Sequence, residues 1–172
     1  RRNIRNREDL AEYLGCIENG SSFRGLAGAN GVGTFGGSQD HAAIVGSKKG
    51  SLAHFSFSPL TILGEFSFPE DLCFAVATSG VRAEKTGRAM EKYNNLALLT
   101  RAIVDVWPEM KGSSLAAIIQ EHGMERVVDS LRLADRAFNV GDLEKRLQAF
   151  YEESFEIIPA VAGKLRRGEF AE

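Results

Sequence analysis

Cysteine is scarce. The 172 residues hold two, Cys16 and Cys73, in apolar surroundings and without metal-ligand spacing, which excludes a disulfide framework and a zinc ribbon. They are expected to be buried, reduced thiols of a cytosolic protein. An excess of one charge is also missing: 21 Lys and Arg stand against 23 Asp and Glu, a net charge of −2. No basic run is long enough to read as a nucleic-acid footprint. No apolar run reaches the roughly 18 residues of a membrane span, and no secretory signal is visible. The expectations are no nucleic acid, no membrane and a cytoplasmic location. What remains, 44% hydrophobic and 26% charged, is ordinary globular composition. The chain opens RRNIRNREDL, without Met, and closes RRGEFAE in what reads as a helical region. It is therefore expected to be an excerpt from a larger protein.

The regular alternation of strand and helix is absent as well, which excludes a doubly wound sheet. A first helix is expected over 6–19. Asn6 can cap it, Glu8 and Asp9 suit its positive end, and Leu10, Leu14 and Ile17 fall on one face. Asn19-Gly20 stops it. Residues 20–38 carry seven glycines and little apolar periodicity, so a long loop is expected there, mobile for want of apolar anchors. A helical turn or two follows at Ala42–Val45. Three runs then read as strands, 51–58, 60–68 and 71–79, with Pro59 and Pro69 at the joints and antiparallel pairing implied. From 83 on the pattern is helical. Leu96, Leu99, Ile103 and Val106 share one face up to Pro108, and shorter helices are expected near 114–121 and 123–138. A long stretch capped by Asp142 follows, with Leu143, Leu147, Phe150, Ile157, Val161 and Leu165 on one stripe. The fold class read from this order is α+β.

The loop contains GVGTFGGSQDH (31–41), a literal G-x-G-x-x-G. A dinucleotide fingerprint needs a strand before its first glycine and an acid about 20 residues on. Here SSFRGLAGAN precedes it and SLAHFSFS follows, so that reading is rejected. No Gly-Lys-Ser/Thr follows either, which rejects a Walker A loop. A flexible loop that delivers Asp40 to a helix start is left. Asp40 is then either a helix N-cap or a catalytic carboxylate.

GTFGGSQDHAAIVGSKKGSLAHFSFSPL (33–60) resembles the galactokinase pattern G-T-x-x-G-x-x-D-Q followed by K-G-x-A-L-x-I-D, in the GHMP family of small-molecule kinases. Gly37 and Asp40 fall on its glycine and aspartate, His41 stands where its Gln usually does, and Lys49-Gly50 falls on its turn. DLCFAVATSGVRAEKTGRAMEKYN (71–94) is similar to the family's strand, T-x-x-V-x-R segment and later Tyr-Asn pair, at Ser79, Val81 and Tyr93-Asn94. AVAGKLRRGEFAE (160–172) resembles the segment before its third motif. The family's sugar-binding first motif, phosphate-binding second motif and glycine-rich third motif are not in the chain, and the resemblance sets them before Arg1 and after Glu172.

The resemblance implies the middle of a two-domain GHMP-kinase-like fold. Residues 1–70 would be the end of the N-terminal domain and 71–172 the start of a helix-rich C-terminal one. It implies ATP-dependent phosphorylation of a monosaccharide to a sugar 1-phosphate, with ATP and Mg2+ held mostly outside these residues. Asp40 would be the catalytic carboxylate that takes the hydroxyl proton, and it would bind substrate together with Gly37, through its N–H, and Tyr93, through its phenol. Each has a plainer structural reading: a cap, a turn glycine and a packing or surface tyrosine. His41 could tune Asp40, and Arg82 could face phosphate. His54 reads as a strand residue and Lys48-Lys49 as a solvated turn. The alternatives are a kinase for another sugar such as L-arabinose, or for a different small alcohol, and a non-catalytic sugar sensor of the same fold.

Overall fold

The computed structural model describes residues 3–81, 88–133 and 138–170. The chain is mixed α and β and forms two compact units, Arg1–Asn94 and Asn95–Glu172. Among the described residues no helix is long and apolar enough to cross a membrane.

In the first unit, α1 spans Arg7–Asn19. Asn6 caps it by accepting from the Asp9 N–H, and Gly20 ends it in the left-handed conformation. Its buried face is not the Leu10, Leu14, Ile17 stripe. Leu10 and Ile17 are exposed, and Asp9, Ala11 and Gly15 are buried instead. The reason is close packing against α2, Gln39–Gly46. A Cβ at Gly15 would stand 2.8 Å from the Ser38 Cβ, so the small residues of α1, not the large ones, meet the partner helix. Ala11, Ala42 and Leu60 form the small core there, flanked by Val45 and Phe55.

Two strands follow, β1 at Ser51–Ser56 and β2 at Thr61–Ser67. They pair antiparallel, Ser51 opposite Ser67, with a bulge between His54 and Phe55. The third expected strand does not form: residues 72–79 are irregular and exposed. Phe74 stacks on Phe68 with centroids 4.9 Å apart. The Thr78 and Ser79 hydroxyls accept from the Gly80 and Val81 N–H groups. Such local side-chain bonds compete with a ladder. Cys73 is consequently exposed and Cys16 only half-buried, against the expectation of two buried thiols.

α3 spans Arg88–Val104 and is followed by a 3-10 turn at Pro108–Met110. The remaining helices are α4 (Leu115–His122), α5 (Met124–Leu133), α6 (Val140–Tyr151) and α7 (Ile158–Arg167), with a π-helical turn over Glu152–Ile157. The core of the second unit is built from Leu99, Ile103, Trp107, Ile118, Val127, Leu131, Leu143 and Leu147, among others. The α6 cap is Asn139, which accepts from the Gly141 N–H; Asp142 sits in the first turn. The expected stripe holds through Phe150, which packs partly buried against this core, and then fails, since Ile157 and Val161 are exposed and Ala162 is buried. A π turn takes up one extra residue and rotates everything after it. Pro159, which has no N–H to donate, lies just beyond that turn.

Candidate functional site

The end of α1, the start of α2 and the start of α3 converge on the glycine loop. From α1, the Glu18 backbone carbonyl accepts from the Val32 N–H at 2.9 Å. Gly31 makes this approach possible: its φ is +64°, and a Cβ there would lie 2.6 Å from the Glu18 oxygen. The Glu18 carboxylate accepts from the Thr34 hydroxyl at 3.3 Å and pairs with His41 Nε2 at 2.9 Å. The Asn19 amide donates to the Gly36 carbonyl. Earlier in the loop, Phe23 is buried and bridges to Leu26. Arg24 stacks over the Phe23 ring and donates to the buried Asp9 carboxylate. Together with Arg5, this hydrogen bonding holds the Asp9 carboxyl well below the usual carboxylate range. The loop therefore has anchors, one of them apolar, where the sequence suggested none.

From α3, Asn94 contributes the longest-range tie. Its Oδ1 accepts from the Phe35 N–H at 2.9 Å and its Nδ2 donates to the Gly33 carbonyl at 2.8 Å. Asn94 is 9% exposed, and both of its polar ends are satisfied by one short piece of loop. Its neighbour Tyr93 lies over the next residues: a Cβ at Gly36 would stand 2.9 Å from the Tyr93 hydroxyl.

The predicted site residues fall as follows. Gly37 is exposed, and a Cβ there would meet nothing within 4 Å. Tyr93 is brought to the loop at Gly36. Asp40 is exposed in the first turn of α2 and is not its cap; the cap position belongs to Ser38, whose side chain makes no capping bond. The first N–H groups of that turn therefore receive no bond from the capping side chain. His41 is turned to Glu18, not to Asp40. Lys48 pairs with Glu65 across the hairpin at 2.8 Å, and His54 stands in β1 opposite Gly64. Arg82 lies outside the described residues.

Sequence reasoning missed Glu18 and Thr34, and took Asn19 only as a helix stop. No local signal marks a side chain whose bonding partner, side chain or backbone, lies 16 or 17 residues away. Elsewhere, a cavity of about 250 Å3 lined by Arg7, Ala11, Ala42, Phe55, Leu60 and Ile62 opens at the start of α1 and the end of α2. It contains none of Gly37, Asp40 or Tyr93. Among the described residues no group of three or more His, Cys, Asp or Glu side chains is placed to hold a metal ion.

Compared with models of known families, with curated proteins and with solved structures, the chain gives no match.

Proposed function

We propose that this chain carries the sugar-facing part of a GHMP-type sugar kinase that resembles galactokinase and forms a sugar 1-phosphate from ATP and a monosaccharide. One observation carries the reading. The loop with Gly37 and Asp40 and the Tyr93-Asn94 pair, the two stretches in which the resemblance is densest, are joined through Asn94 across 59 and 61 residues of sequence. A polyol needs donors, acceptors and a surface for its ring face. The Gly37 N–H and the first turn of α2, which Ser38 leaves uncapped, would supply donors, Asp40 an acceptor and Tyr93 a ring with a polar tip.

In this reading Asp40 takes the proton of the attacking hydroxyl, a general-base contribution of about 10²–10⁴-fold. Its carboxylate makes no side-chain hydrogen bond or ion pair among the described residues, so it is available for that proton. The glycine loop has neither the preceding strand nor the Gly-Lys-Ser/Thr of a phosphate cradle, and no step at the phosphoryl donor is assigned to these residues. ATP and Mg2+ belong to the proposal through the resemblance alone. The acceptor is a monosaccharide of galactose or L-arabinose type.

The test is sugar-dependent ADP release by the gene product that carries this chain, with Mg-ATP and a panel of aldoses, and phosphorus NMR of the product. An anomeric phosphate is expected. Sugar binding without ADP release would favour a sensor of the same fold. Neither binding nor turnover with any aldose would overturn the proposal.

A further inference from the structure

We propose that Asn94 is the positioning residue of the glycine loop. By donating to Gly33 and accepting from Phe35 it holds Gly36 under Tyr93, so that Gly37 and Asp40 face a ligand as one surface. The reading of that ligand as a monosaccharide rests on the function proposed above; the clamp itself does not.

A carboxamide carries a donor and an acceptor in the same relative placement as a peptide group. Gly33 carbonyl and Phe35 N–H are the two backbone groups that flank Thr34, and a strand neighbour would satisfy both. Among the described residues no strand pairs with this stretch; Asn94 does instead, at 2.8 and 2.9 Å. The arrangement is strict on the Asn94 side, because its buried carboxamide would be left unpaired without the loop; Gly33 and Phe35 are themselves exposed. Thr34, between the two bonded groups, is 7% exposed and points its hydroxyl to Glu18. The loop is thus held from α3 on one side and from α1 on the other. Tyr93 precedes Asn94 on α3, so whatever fixes Asn94 to the loop also fixes the distance from the phenol to Gly36.

Hydrogen exchange of the Phe35 amide reads the clamp directly and needs no sugar. In Asn94→Ala both bonds are lost, and that amide should exchange about fivefold faster or more. In Asn94→Asp the acceptor stays while the donor to Gly33 goes, so Phe35 should keep its protection. The β1 and β2 amides should be unaffected in both variants. An unchanged Phe35 rate in Asn94→Ala would overturn the inference, as would a rise shared equally with β1 and β2, which marks unfolding of the unit. In the turnover assay, Asn94→Ala should raise the sugar KM about tenfold with kcat within about threefold; where the wild type turns over sugar, an unchanged KM in Asn94→Ala would equally overturn it. If no aldose is bound or phosphorylated by the wild type, the functional reading falls, and the exchange arm still decides the clamp.

Discussion

Replacing Asp40 by Asn changes one oxygen for an NH2 and keeps the shape. The surroundings make this a clean perturbation. Asp40 is exposed in the first turn of α2 and the capping position is Ser38, so no bond of the fold is broken. What is lost is the attraction between a negative charge and the helix N-terminus, about 0.3–1 kcal/mol at low salt. For a unit of this size that corresponds to a fall in Tm of no more than about 5 °C, shrinking further as salt screens the charge. A lost general base costs far more in rate. A factor of about 10² is about 2.7 kcal/mol of barrier. The assay is sugar-dependent ADP release alongside thermal unfolding of the same preparation. The expected result is kcat lower by about 10²-fold or more, an unchanged ATP KM and a nearly unchanged Tm, because the amide touches no phosphate. A kcat within about threefold of wild type would remove Asp40 from the chemistry. A large loss of kcat that follows an equally large loss of Tm would reduce it to a structural residue.

Three further outcomes are expected. Gly36→Ala places a methyl 2.9 Å from the Tyr93 hydroxyl but 3.9 Å from the ring carbon behind it; loop-amide NMR shifts should therefore be perturbed in Gly36→Ala and restored when Tyr93→Phe is added, and no restoration would deny the contact. Asp9 has its carboxyl held below its unfolded value, so its contribution to stability is present above about pH 4 and is lost as pH falls below that. Melting between pH 6 and pH 3 should show a smaller drop for Asp9→Asn than for wild type, and equal drops would refute the assignment. Leu143→Ala removes a side chain with 0% exposure from the core of the second unit and should cost about 2–5 kcal/mol, read from urea unfolding; a loss under about 1 kcal/mol would mean that this core is not packed as described.

The parts of the fold that were legible in the sequence are those with local causes. Asn6 and Gly20 bound α1 as their side chain and missing Cβ predict, and Leu99, Ile103, Leu143 and Leu147 sit in the core as their spacing predicts. The failures have causes that a periodicity count cannot see, a tertiary partner foremost. The α1 face was misjudged because Ala11 and Gly15 admit α2 closely. Ile157 and Val161 left their stripe because a π turn intervenes. The run 71–79 has strand composition, but the hydroxyls at its end, Thr78 and Ser79, accept from the N–H groups just beyond it, Gly80 and Val81.

The same cause governs the candidate site. GVGTFGGSQDH reads as a loose segment, since glycine is the least constrained residue. The structure gives its glycines another reason. Gly31 clears the Glu18 carbonyl and Gly36 clears the Tyr93 hydroxyl, so at these positions the absence of a side chain lets the backbone come near enough to be held. Glu18, Asn19 and Asn94 then hold it by side-chain and backbone bonds, none of which has a spacing that a sequence shows. Within the loop and the helix start that it feeds, Gly37 has open space around it and Asp40 is exposed. A ligand that met a held backbone on one side would meet these two residues first, and with Tyr93 they are the residues for which the resemblance implies contact with the sugar.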